Sequence, residues 1–172
     1  KLKKVRGVKV SEGGKRITVP LHSDSDKNEG SIIMLFPMKD IILNLIEIHS
    51  LEIPENVANP VKERKELKIN YCFEGRCELR LKTGGCTYLT SGEAALDAGQ
   101  TRNVFYYPGG KYLGFEIILD MENLLQNKEC KWNEFSNCKA LYENTQNLER
   151  PVIGEGGRVI QGIYDCLRYY IN

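Results

Sequence analysis

Residues 66–96 read ELKINYCFEGRCELRLKTGGCTYLTSGEAAL, and the way polarity alternates in this stretch decides the fold class. A two-residue turn at Glu74-Gly75 would set Tyr71 against Glu78 and Ile69 against Arg80, mixing apolar and charged side chains on one face. A three-residue loop, Phe73-Glu74-Gly75, with Gly75 at the positive φ of a bulge, sets Tyr71 against Cys77, Ile69 against Leu79 and Leu67 against Leu81. The opposite face then pairs Cys72 with Arg76, Asn70 with Glu78 and Lys68 with Arg80. The register that separates polarity is the expected one, because a one-residue slip turns every side chain to the other face. It places Cys72 and Cys77 on opposite faces, unbonded.

Outward from this hairpin the grammar stays β. From Ser31 to Asp120, short runs rich in Ile, Leu, Tyr and Phe are punctuated by Gly, Pro, Asn and Asp, and predict strands near 31–36, 41–49, 66–73, 76–82, 85–89, 93–98, 103–107 and 112–119. Strands so short and so closely spaced point to a sandwich or barrel rather than to alternating βαβ units. Residues 1–30 read as an N-terminal arm with a short strand around Ile17 to Leu21. Five basic residues fall in the first nine, Gly13-Gly14 follows, and Ser23 to Gly30 is polar, so the arm is expected to be mobile and solvated. Beyond Asp120 the grammar turns helical. Asp120 is placed to cap a helix carrying Leu124 and Leu125, with Glu122 in its first turn. A second helix is expected over 133–144, with Phe135, Cys138, Leu141 and Tyr142 on one side, then a loop over 144–157. A last helix carries Val159, Ile160, Ile163, Tyr164, Leu167, Tyr170 and Ile171 at steps of three and four. This stripe predicts a homodimer with two-fold symmetry. The expected organisation is an arm (1–30), a β-barrel (31–120) and a helical dimerisation segment (121–172).

Composition bounds the function. With 172 residues the chain is one domain, and 41% hydrophobic with 27% charged residues is ordinary for a globular protein. A net charge of +1, from 24 basic and 23 acidic side chains, gives no electrostatic case for DNA binding by this chain itself. Mean hydropathy is −0.39. The greasiest run, Ile41 to Ile48, is cut by Asn44 and Glu47, and nothing reaches the ~20 apolar residues of a membrane span. Six cysteines without a C-x-x-C pair read as reduced thiols packed as small hydrophobes, which fits a cytoplasmic protein. Lys1 in place of a start methionine, and a helical pattern running to Asn172 without a stop signal, predict a piece of a longer protein.

Tyr71-Cys72-Phe73-Glu74-Gly75-Arg76-Cys77-Glu78 and Tyr88-Leu89-Thr90-Ser91-Gly92-Glu93, with Phe105-Tyr106-Tyr107-Pro108 and Tyr112 to Asp120, resemble the cupin barrel. More narrowly they resemble the N-terminal sensor domain of AraC-family transcriptional regulators over roughly residues 30–172. That family often has Asp where this chain has Glu93. The resemblance implies a mainly β fold, a cupin-like double-stranded β-barrel (jelly roll) followed by two or three α-helices. It implies a domain that senses a small-molecule effector and dimerises, while DNA is bound only through a C-terminal helix-turn-helix domain absent from this chain. Enzymes of the cupin class hold a metal with His and Glu. Counting back from Gly75, their pattern falls on Lys62, Arg64 and Lys68, and the second motif's His falls near Arg102; cations do not ligate a divalent metal. His22 and His49, 27 residues apart, lie outside these motifs. No cofactor, no metal and no catalytic residue is therefore expected, and the chain is read as a non-enzyme. The expected ligand contacts are aromatic walls from Tyr71, Tyr88, Phe105, Tyr107 and Tyr112, with Arg76, Glu78 and Arg80 as polar groups. The competing readings are a stand-alone metal-free cupin that binds or processes a sugar or small metabolite, and, third, a metal cupin enzyme or an unrelated β-sandwich interaction module.

Overall fold

The computed structural model describes residues 7–22, 28–52, 65–126, 138–157 and 162. In chain order these form β1 (Lys9–Val10), a 3-10 turn (Glu12–Gly14), β2 (Arg16–His22), β3 (Asn28–Met38), β4 (Ile41–Ile48), β5 (Glu66–Leu81), β6 (Cys86–Thr90), β7 (Glu93–Asp97), β8 (Thr101–Tyr106), β9 (Tyr112–Asp120), α1 (Met121–Gln126), α2 (Cys138–Thr145) and β10 (Val152–Glu155). The fold is of the mainly β, cupin-like class expected, with antiparallel pairing throughout and helices after β9. No described helix is long and apolar enough to cross a membrane.

One sheet runs β1-β2-β3-β4-β9-β5-β7-β10. Strand β5 is 16 residues long and leaves this sheet for a second one. Its first half, Glu66–Gly75, pairs with β9 and β7; its second half, from Arg76, pairs with β6 and β8. A bulge makes the transition. Pairing with β9 slips between Cys72 and Glu74, and Gly75 has φ 87°. A Cβ on Gly75 would stand 2.0 Å from the Lys111 carbonyl oxygen, so the close approach of β9 requires glycine here.

The hairpin expected at Phe73-Glu74-Gly75 is therefore absent. The positive φ is there, but it belongs to a bulge inside a continuous strand. The bulge also shifts the alternation of faces by one residue. Lys68, Asn70 and Cys72 point inward before it, and Cys77 and Leu79 after it, so Cys72 and Cys77 share one core cluster as free thiols rather than facing opposite ways. Tyr71 goes to the outer face with Phe73 and Phe115. Separation of polarity sets the register only where one face is solvated. The first half of β5 has none: Leu67 on one side and Cys72 on the other are both 0% exposed.

The arm also differs from expectation. The foreseen strand exists, but as β2 it pairs with β3 from Arg16 to His22 and buries Val19 and Leu21 in the main core. The barrel thus starts well before Ser31. At the other end Asp120 caps α1 as expected, its Oδ1 accepting the Asn123 backbone N–H at 3.1 Å. Helix α1 seats Met121 and Leu124 on the outer face of the sheet with Leu67, Leu119 and Tyr142. In α2 Tyr142 is buried while Leu141 is 40% exposed, so those two do not share one covered side. Strand β10 adds to β7 where a loop was expected. The stripe Val159, Ile160, Ile163, Tyr164, Leu167, Tyr170 and Ile171 lies outside the described residues, as do Lys62, Arg64 and Phe135.

Candidate functional site in the barrel interior

Strands β4 and β9 each carry a polar residue in an otherwise apolar run, Asn44 in IILNLIEI and Glu116 in YLGFEIILD. Register sets Asn44 beside Glu116 and Glu116 beside Asn70 of β5, so the three form a row across adjacent strands. All three are buried below a tenth of their surface. Asn44 Nδ2 donates to Glu116 Oε2 at 2.9 Å. Asn44 Oδ1 is buried with no hydrogen-bond partner among the described residues. An unpaired buried acceptor costs about 1–3 kcal/mol, so it marks a place where a donor is wanted. Two residues before Asn70 on the same face, Lys68 brings its Nζ to 3.8 Å from the Glu66 carboxylate.

Burial pushes the Glu116 carboxyl above its ordinary value, while the Lys68 charge and the Asn44 hydrogen bond pull it down. Glu116 therefore holds its proton more tightly folded than unfolded. Its contribution to stability is complete below the unfolded pKa and is lost as pH rises through the raised folded value. Glu116→Gln carries no charge at any pH, so its stability relative to the wild type should improve as pH goes from about 4.5 to about 8. Urea midpoints of both proteins across that range measure this, and a difference that stays flat would contradict it.

Beside the polar row the interior is apolar. Tyr107 and Tyr112 pack with ring centroids 5.0 Å apart, and burial holds both phenols well above their usual range. Burial, then the Glu93 charge, pushes the Cys72 thiol up to about 12, and burial raises Cys77 as well. Neither is a thiolate nucleophile near neutral pH. Asp97, also buried, closes the turn after β7: its Oδ1 accepts from the backbone N–H groups of Gly99 at 2.9 Å and Gln100 at 2.6 Å, and Oδ2 from the Thr101 hydroxyl.

The eight expected contacts divide among three places. Tyr107 and Tyr112 are inside, and Phe105 packs partly buried against the same core. Tyr71 is on the outer face of the first sheet. Arg76, Glu78, Arg80 and Tyr88 do come together, but on the outer face of the second sheet. The Arg76 guanidinium lies 3.7 Å from the Tyr88 ring centroid, Arg80 Nε donates to Glu78 Oε1 at 3.2 Å, and the Tyr88 hydroxyl donates to Glu78 Oε2 at 3.3 Å. The residues missed are Asn44, Lys68, Asn70 and Glu116. Their signal was a single polar residue inside an apolar strand, which is more informative than another aromatic one.

The described donor set at this interior row is one carboxylate, two amides and an ammonium, and this does not fit a divalent metal. Among the described residues no three His, Cys, Asp or Glu side chains gather as a metal site. His22 ends β2, and His49, just after β4, sits 3.0 Å from the exposed Glu47 carboxylate.

No family model matches the chain. No curated protein matches it either. Among solved structures it is similar to FeII HppE, at 12% identity over 66% of this chain and 62% of that one, with a TM-score of 0.43. It is similar to the Cupin_2 domain of an XRE family transcriptional regulator from Enterobacter cloacae, at 13% identity over 54% and 96% of the two chains, TM-score 0.42. It is also similar to KdgF from Halomonas sp., at 13% identity over 58% and 92%, TM-score 0.42. The chain spans less than two thirds of the length of FeII HppE. These are likenesses of fold. They correct one expectation: HppE has also been solved with Fe(II) and an alternative substrate, (S)-1-HPP, so proteins of this fold include ones that take substrates, and the reading of this chain as a non-enzyme is withdrawn.

Proposed function

We propose that the chain is a small-molecule-binding cupin-type domain whose ligand lies in the barrel interior against Asn44, Glu116, Asn70 and Lys68. More narrowly, we propose the ligand-sensing and dimerisation part of an AraC-type transcription regulator, acting on DNA through a domain beyond this chain. The observation that carries the reading is the buried Oδ1 of Asn44, unpaired among the described residues, within a polar row set in an apolar barrel. A ligand donor, such as a hydroxyl, satisfies that oxygen, and Tyr107 and Tyr112 supply an apolar wall. The regulator assignment is supported by the resemblance of the Tyr71–Glu78 and Tyr88–Glu93 stretches, and pairing with a second copy through Val159 to Ile171 is part of that same assignment. The stand-alone metabolite-binding reading uses the same interior, and a helix-turn-helix extension in the gene past Asn172 separates the two.

A thermal-shift screen with sugars, polyols and hydroxy acids tests the binding claim. A ligand at ~100 times its Kd adds ~2.7 kcal/mol, which is roughly 5–10 °C for a chain of this size. Both Asn44→Leu and Lys68→Met should abolish the shift, while Arg76→Gln, on the outer face, should keep it. A screen in which nothing stabilises the protein, or a shift that survives both interior substitutions, would count against the site. Sedimentation showing a monomer at high micromolar concentration would remove the dimer.

A further inference from the structure

The second sheet carries a groove of about 330 Å³ on its outer side, lined by Glu78, Arg80, Leu81, Gly84, Gly85, Cys86 and Arg102. It is separate from the barrel interior, since Arg80 and Glu78 alternate with the inward-facing Leu79. Two arginines line it from paired strands, Arg80 from β5 and Arg102 from β8. Two cations lining one groove raise its potential and favour a negative group there. Glu78 answers only one of them. Its carboxylate takes Nε–H of Arg80 and the Tyr88 hydroxyl, which leaves the terminal amino groups of Arg80 without an acceptor among the described residues. Arg102 is exposed, and its side chain makes no hydrogen bond or ion pair among the described residues. Gly84 and Gly85, with φ 102° and 78°, also line it, and a Cβ on either would meet nothing within 4 Å, so that side of the groove is open.

We propose that this groove binds the oxyanion of a small metabolite, a carboxylate or a phosphate, between the guanidinium groups of Arg80 and Arg102. The planar fork of arginine matches both groups with two parallel hydrogen bonds. The groove's volume suits a small molecule rather than a macromolecule. The net charge of its lining side chains, two arginines against one glutamate, favours an anion. The site is independent of the interior row and stands or falls without it.

Cys86 is an exposed free thiol on the groove wall and reports occupancy. The full chain is treated with iodoacetamide at fixed ionic strength in chloride, with inorganic phosphate or acetate added in exchange for chloride, and Cys86 alkylation is followed by peptide mass spectrometry. Phosphate or acetate should slow alkylation of Cys86 saturably, at least threefold at saturation; protection by phosphate alone assigns a phosphate ligand and by acetate alone a carboxylate. Arg102→Gln should weaken that protection about tenfold in apparent Kd, as loss of a charge-assisted pair does. Arg76→Gln, on the same sheet face but outside the groove lining, should leave it unchanged. Arg102 is exposed, so its replacement leaves the fold intact, and matching melting curves check this. Protection by neither anion, protection that persists in Arg102→Gln, or an equal loss in Arg76→Gln would each overturn the proposal.

Discussion

Gly75→Val is expected to leave the chain unfolded or barely folded at 37 °C. Two costs add. A β-branched residue at φ 87° is strained by about 1–3 kcal/mol. Its Cβ would also stand 2.0 Å from a backbone oxygen of Lys111, which no rotamer relieves, so β5 and β9 must separate where the long strand changes sheets. Overpacking of this kind costs about 1–3 kcal/mol or more. The sum is a large part of the about 5–15 kcal/mol that holds a domain together. Gly84→Val is the control, because its φ of 102° gives the strain without any atom within 4 Å of the new Cβ. Urea unfolding of both variants should show the larger loss for Gly75→Val; equal losses would mean that the bulge is not where the two sheets are joined.

Leu21→Ala is expected to cost about 2–5 kcal/mol, the range for emptying a fully buried leucine site. Leu21 is 0% exposed and packs with Val19, Ile48 and Cys77 inside the barrel. If residues 16–22 were a detachable arm, the substitution would fall within about 0.5 kcal/mol of the wild type, as surface changes do. Chemical denaturation decides between these values, and the backbone amide of Val19, in the ladder with Ile32, should resist hydrogen exchange to the same degree as the core strands.

Where the sequence was legible, local chemistry agreed with the fold. The turns after β5 and β6 are marked by Gly84-Gly85 and Ser91-Gly92, and Asp120 announces its helix with a capping side chain. Gly75 misled because a glycine between two apolar runs reads equally as a turn and as a bulge, and only the partner strand decides. β2 reads as part of an arm because basic residues and glycines precede it. Yet Ile17, Val19 and Leu21 alternate as a half-buried strand should. The interior row was hidden for a related reason. Asn44 looked like an interruption of an apolar run, and Lys68 and Asn70 like a solvated face. Their meeting with Glu116 depends on β9 lying between β4 and β5, a long-range pairing that no local pattern encodes. The aromatic residues are scattered because aromatic side chains serve every buried surface, inside and outside the barrel alike.

A crystal structure of the chain soaked with the most stabilising compound from the thermal screen tests the central claim most directly. The compound should lie across β4, β9 and β5, with a donor about 2.7–3.2 Å from Asn44 Oδ1 and polar contacts to Lys68 or Asn70. A compound bound anywhere else, with Asn44 Oδ1 taken up by the protein's own groups and the interior closed over it, would contradict the account.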